Sequence, residues 1–209
     1  MAETATGAKP PASVYKTPVA VFISGAGTNM AALLYASRLP ASPFEIVLVA
    51  SNIADAPGID LARLEEISTF VHPHVGHSRR AHDDAMGEAA RKACARIIVL
   101  AGYMRIMSDE FVRQWEGAII NIHPSLLPKY KGLDTFARAI AAGDSHAGTS
   151  VHLVTPELDA GEVLAQARVR IAPGDTPETL GQRVKLAEHQ LYPRALADYV
   201  TTTAQTRTT

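Results

Sequence analysis

Asn121 and His123 stand two residues apart where the apolar run Ala118-Ile119-Ile120 meets Pro124. Side chains alternate along a strand, so the amide and the imidazole share a face while Ile122 points away. Pro124 has no N–H to give a ladder, which ends the strand. An amide can donate to a developing oxyanion. An imidazole beside it can hydrogen-bond the same oxygen or move a proton. Asp159, in the turn Leu158-Asp159-Ala160-Gly161, could orient the imidazole and help take a proton from an attacking amine. Each residue has an ordinary alternative: a satisfied core histidine, a strand-end amide, a turn aspartate. Together they suit acyl transfer to an amine, provided that the fold brings Asp159 to His123, which spacing alone does not settle.

A second group lies near the start. Ser24-Gly25-Ala26-Gly27-Thr28-Asn29 follows an apolar run and precedes a helical pattern. Glycines let the backbone approach a ligand, and a helix N-terminus offers N–H groups to an anion. The third glycine of a dinucleotide fingerprint is replaced by Met30, and the next strand ends in Ser51-Asn52 with no acid for a ribose. The Lys-Ser/Thr pair of a Walker loop is also missing. A terminal phosphate therefore fits better than a dinucleotide; a tight turn that binds nothing is the competing reading. His72, His74 and His77 invite a metal, but Pro73 and Gly76 make the segment a surface loop and no cysteine or acid completes a ligand set.

The elements that must position these residues alternate. Strands are expected at 19–23, 44–51, 69–72, 96–100, up to Asn121, then at 150–154 and 163–171. Helices are expected at about 29–37, after Asp55 as cap with Pro57 in the first turn, from Ser78 to about 93, near 108–115, at 135–142, and from Pro177 onward with a kink near Tyr192-Pro193. Residues 124–134 form a long loop. This pattern predicts an α/β fold: a Rossmann-like, mostly parallel sheet with helices on both faces and an antiparallel addition in the C-terminal half. Strand carboxyl ends are where such sheets bind ligands, which is where Asn121 and His123 fall. One domain over 18–200 is expected, with loose tails at 1–17 and 201–209.

With 209 residues, 47% hydrophobic, the chain can build a substantial core. A net charge of −1 argues against a nucleic-acid or membrane-surface binder. The single cysteine, Cys94, excludes an internal disulfide and reads as an inert, semi-buried thiol. No apolar run reaches membrane-spanning length and the start lacks an apolar signal core, so the cytoplasm is the expected location.

The motifs resemble those of the folate-dependent formyltransferases. They are ISGAGTNMAALL from Ile23, SNIADAPG from Ser51, VLAGYMRIMSDEFV from Val99, NIHPSLLPKYKG from Asn121, GTSVHLVTPELDAG from Gly148 and EHQLYP from Glu188. NIHPSLLP is shared across that family; the glycine–Thr–Asn loop narrows the resemblance to its glycinamide ribonucleotide branch. The resemblance implies formyl transfer from 10-formyltetrahydrofolate to the amine of glycinamide ribonucleotide in purine biosynthesis, through a tetrahedral intermediate. It places catalysis on Asn121, His123 and Asp159. It places the ribonucleotide on Gly27, Thr28, Asn29 and Glu188. The folate would lie against Arg79, Met104, Arg105, Ile106, Met107 and Asn121, where backbone groups pair with the pterin. The partners implied are these two small molecules, with no metal, nucleic acid or membrane; a homodimer is left open. A hydrolase of the same folate, or a formyltransferase for another amine, is the alternative. Ala26, Lys131, Asp134 and Glu162 depart from the family's frequent residues, and Lys131 and Asp134 lie in the loop over the substrate.

Overall fold

A computed structural model of the chain describes residues 15–206. Its strands are β1 (Thr17–Ile23), β2 (Phe44–Ser51), β3 (Thr69–Val71), β4 (Ile97–Leu100), β5 (Ile119–His123), β6 (His146–Leu153) and β7 (Val163–Arg170). Its helices are α1 (Thr28–Ser37), α2 (Pro57–Leu64), α3 (Arg79–Lys92), α4 (Asp109–Gln114), α5 (Thr135–Ala141) and α6 (Pro177–Thr206). The strands form one seven-stranded sheet in the order β3-β2-β1-β4-β5-β6-β7. Pairs from β3 to β5 are parallel. Those of β6 with β5 and β7 are antiparallel. The expected mostly parallel sheet with an antiparallel C-terminal addition is therefore observed.

Two cores follow from the period of the strands. Val19, Val21 and Ile23 of β1 face a cluster with Leu33, Ile59, Tyr192 and Leu196 from α1, α2 and α6. Ala20 and Phe22 face the opposite cluster, with Met86 from α3 and Phe111 and Trp115 from and beside α4. Burial on both faces explains why β1 and β4 are continuous apolar runs. Sheet order reverses between β1 and β4, and the crevice beyond their carboxyl ends is the expected ligand site. There the loops after the two strands meet, with Ser24 N donating to Gly102 O at 3.2 Å.

Several boundaries differ from the sequence expectation. Strand β1 begins at Thr17, inside the span expected as a loose tail; residues 1–14 lie outside the described ones. Helix α6 continues through Pro193 and on to Thr206, so 201–206 are helix and not tail. Strand β5 runs to His123, and β6 starts at His146 instead of 150. Ala56, not Asp55, occupies the cap of α2, with no side-chain hydrogen bond. Ser78 caps α3 as expected, accepting from Ala81 N, and Ser108 caps α4, accepting from Phe111 N. Cys94 is exposed, in a left-handed conformation at φ 57°, not semi-buried. No helix among the described residues is long and apolar enough to cross a membrane.

Helix α6 is tied to the sheet by Tyr192. Its buried hydroxyl lies 3.0 Å from Leu100 O, at the end of β4, and 3.1 Å from Ile120 O in β5, so its one proton is shared between the two strands that carry site loops. Tyr192→Phe leaves those carbonyls without the donor. It is expected to lower stability by about 1–2 kcal/mol, read as a lower urea midpoint at unchanged slope.

His82 on α3 is fully buried, with Nε2 2.9 Å from the Tyr103 hydroxyl and Nδ1 without a partner. Burial, aided by Arg105 and the nearby His72, His74 and His77, lowers its pKa to about 4. The unfolded ring, near 6.5, takes up its proton first as pH falls. The stability held by neutral His82 is thus complete above about pH 6.5 and is lost progressively toward pH 4. Comparing urea unfolding at pH 7 and 4.5, the wild type should lose up to about 3 kcal/mol more than His82→Gln. Equal losses in the two proteins would show that His82 does not carry this dependence.

Candidate active site

The antiparallel register of β5 and β6 builds the polar face. Asn121 pairs with His152 and His123 with Ser150. Directly opposed residues share a face, so two histidines, an amide and a hydroxyl cluster at the strand ends. Asn121 Nδ2 lies 3.1 Å from His152 Nε2, and His152 Nδ1 lies 2.8 Å from Leu153 O. Only one tautomer satisfies both: Nδ1–H donates to the carbonyl, and Nε2 accepts from the amide. Burial holds the His152 pKa below its ordinary value, in keeping with a neutral ring. This contact turns the Asn121 NH2 group inward and leaves its second N–H free to donate. His152 was not among the residues singled out from the sequence, because its role depends on a pairing register that local pattern does not reveal.

Asp159 reaches the cluster from the β6–β7 turn. Its carboxylate lies 3.4 Å from His123 Nδ1 through Oδ2 and 3.6 Å from His152 Nε2 through Oδ1. The side chains of His123 and Asp159 are each 7% exposed. The turn holds Asp159 at φ 49°, a left-handed conformation that Asp and Asn tolerate better than most residues. Gly161 completes the turn, since a Cβ there would sit 1.9 Å from Leu153 O. Spacing alone left open whether Asp159 meets His123; the fold brings the two together.

His123 Nε2 lies 2.9 Å from Tyr130 O. The imidazole therefore has an acceptor on each side. A neutral ring donates to one of them; a protonated ring donates to both. The 124–134 loop folds back over this ring, and Asp159 Oδ2 accepts from Gly132 N at 2.9 Å. Lys131 pairs with Glu157 at 3.0 Å, so this departure from the family pattern adds a second link between the loop and the β6–β7 turn. Asp134, another departure, occupies the cap of α5 at φ 56° without a side-chain cap bond.

The glycine loop sits alongside. Gly27, at φ 71°, precedes α1, and a Cβ there would lie 2.9 Å from Gly58 Cα. This close approach and the positive φ require glycine. Thr28 is exposed, while Asn29 is buried and donates to Glu188 Oε2 at 2.8 Å. Burial pushes the Glu188 carboxyl up from its ordinary value, and the Asn29 bond works against that shift. The Thr149 hydroxyl, which also helps to hold the Glu188 pKa down, donates to His123 O at 3.0 Å. The Asn29–Glu188 bond joins the loop to α6, and Thr149 ties β6 to the end of β5. Asn29 Oδ1 is buried without a partner and could accept from a ligand hydroxyl.

On the other side, the Ser24 hydroxyl accepts from Met104 N at 2.7 Å and donates to Asn52 Oδ1 at 2.5 Å. That fixes the run after β4 against the glycine loop. Met104 and Ile106 are exposed, whereas Met107 packs into the core and offers only backbone to the crevice. Arg105 Nε is buried without a partner. Exposed apolar side chains around an unpaired guanidinium nitrogen fit a flat heteroaromatic ligand. Arg79 opens α3, one turn before Asp83, which accepts from Ser108 N at 2.7 Å. His72 and His77 have ring centroids 4.6 Å apart, but among the described residues no group of three or more His, Cys, Asp or Glu is arranged to hold a metal ion.

A strand-end amide and a histidine–aspartate pair beside a glycine loop at a helix N-terminus suit acyl transfer, and the sequence agrees: the chain belongs to the formyl transferase family, whose model matches residues 17–196. It is 43% identical over 176 residues to a phosphoribosylglycinamide formyltransferase of Haemophilus influenzae, covering 84% of this chain and 83% of that one. It is 45% identical over 182 residues to the trifunctional purine biosynthetic protein adenosine-3 of Bos taurus, which takes in 87% of this chain but only 18% of the larger protein. A crystal structure of phosphoribosylglycinamide formyltransferase from Brucella melitensis superposes with a TM-score of 0.85 at 48% identity, over 88% of this chain and 96% of that one.

Proposed function

We propose that this chain transfers the formyl group of 10-formyltetrahydrofolate to the amine of glycinamide ribonucleotide, the reaction for which its relatives are named. The observation that carries this reading is the 3.4 Å approach of Asp159 to His123, beside Asn121 and one strand from the glycine loop. Acyl transfer to an amine needs donors for an oxyanion and a place for the amine's proton. The free N–H of Asn121 and a ring N–H of His123 would hold the oxygen. His123 must turn from Tyr130 O or use Nδ1 to do so. Asp159 would orient the ring and draw the proton from nitrogen as the new C–N bond forms. When the intermediate collapses, the bond from the formyl carbon to the folate N10 breaks, and N10 takes up the proton.

The ribonucleotide phosphate would rest on the Gly27, Thr28 and Asn29 amides, which α1 leaves unpaired. Glu188 and Asn29 Oδ1 would meet its sugar hydroxyls. The folate would lie along Met104, Arg105 and Ile106, with Met107 contributing backbone and Arg79 facing its carboxylates.

Release of tetrahydrofolate, with and without glycinamide ribonucleotide, tests the proposal. Turnover that requires the ribonucleotide is expected. Equal release without any amine would make the protein a hydrolase of the same folate, and no release under either condition would reduce it to a binding module.

A further inference from the structure

A cavity of about 200 Å³ opens on the reverse side of the 124–134 loop, between that loop, α5 and the β6–β7 strands. Its polar lining includes Lys129, Tyr130, Asp144, Ser145, His146 and Arg168. It is separate from the crevice that holds Asn121 and Asp159.

The hydrogen-bond inventory defines what it can take. Asp144 is the one acid in the lining. It accepts from Lys129 Nζ at 2.9 and 3.0 Å and from the Tyr130 hydroxyl at 2.8 Å. The Ser125 and Thr135 hydroxyls donate to Lys129 O and Pro124 O. Acceptors in the lining are thus largely used, while donors are left over. The Arg168 side chain has no hydrogen-bond or ion-pair partner among the described residues, although its backbone pairs in the β6–β7 ladder, and a guanidinium brings five N–H groups. Among the described residues the side chains of Ser145 and His146 bond only to each other, at 3.0 Å through His146 Nδ1, which leaves Nε2 open. Two cations face one carboxylate that Lys129 and Tyr130 already satisfy. A ligand for this cavity is therefore rich in acceptors, negatively charged and small.

We propose that the cavity is a second oxyanion site, binding inorganic phosphate or the phosphate group of a small ester through Arg168, His146 and Lys129. Arg168 gives the planar fork that suits phosphate oxygens. The site is wired to the catalytic ring. Tyr130 donates to Asp144 on the cavity side, while its carbonyl faces His123 Nε2 at 2.9 Å on the other. An anion that draws Lys129 from Asp144 changes the anchor of Tyr130 and, through it, the acceptor that holds His123.

Titration of the ¹⁵N-labelled full chain with inorganic phosphate, and separately with glycerol 3-phosphate, tests this residue by residue. The Ser145, His146 and Ala147 amides are expected to shift saturably, with the His123 and Tyr130 amides following at the same midpoint. Arg168→Ala should raise that midpoint by about tenfold or more, and Arg168→Lys by less. Any phosphate response of the Gly25–Asn29 amides should keep its own midpoint in both variants, which separates this site from the glycine loop. The tighter of the two ligands identifies free ion or ester as the natural class. Absence of saturable shifts at Ser145–Ala147 with either ligand overturns the proposal, as does a midpoint unchanged in Arg168→Ala.

Discussion

Asp159→Asn lowers formyl transfer at saturating substrates by about two powers of ten or more while the fold persists. Asparagine is the informative replacement. It tolerates the left-handed backbone at φ 49°, as aspartate does, and can still accept from Gly132 N. What it removes is the negative charge 3.4 Å from His123, the one carboxylate among the described residues within ion-pair distance of that ring. Asp159→Ala removes more, since alanine is strained at this φ and the loop loses its tie at Gly132. Its thermal midpoint should fall, whereas that of Asp159→Asn should stay near wild type. Because Asp159 and His123 act on one proton and one oxygen, their effects are not additive. His123→Ala alone should cost about as much as Asp159→Asn, and the double variant little more than either. A rate for Asp159→Asn within a few-fold of wild type would remove the carboxylate from the chemistry.

What was legible in the sequence was local. β1 and β2 could be placed because Val-Ala-Val-Phe-Ile and Phe-Glu-Ile-Val-Leu-Val carry their burial in their composition. Ser78 announced α3 because a cap acts within one turn. The features that escaped were set by distant chain. His146, Ala147 and Gly148 do not look like a strand; they become one because β7 lies alongside, so close that a Cβ on Gly148 would sit 2.1 Å from Ala167 O. Residues 201–206 look like a polar tail rich in poor helix formers. They nevertheless continue α6, with the Thr201, Thr202 and Thr203 hydroxyls bonded back to carbonyls one turn earlier, at 2.8, 3.0 and 2.8 Å. In the site, the face shared by Asn121 and His123 followed from alternation. The meeting of His123 with Asp159 was implied only by resemblance, and His152 by neither route.

The second large effect concerns the amide that His152 steers. Asn121→Ala should reduce turnover by about 10²–10³-fold, the usual loss when one oxyanion donor is deleted. Asn121→Asp, nearly the same shape, is expected to be at least as damaging, for a physical reason beyond the missing donor. A carboxylate at that position would turn lone pairs toward the developing oxyanion and toward His152 Nε2, 3.1 Å away, which accepts in the wild type. Like charges then oppose each other at the moment when charge builds on oxygen. His152→Phe tests the steering separately. The amide remains, but nothing inside the protein distinguishes its oxygen from its nitrogen. Turnover should fall less than in Asn121→Ala, with the KM of the ribonucleotide nearly unchanged, because the phosphate loop is held by Gly27 and by the Asn29–Glu188 pair. If Asn121→Asp were as active as wild type, the oxyanion would have to be held elsewhere, and the strand-end amide would be a structural cap after all.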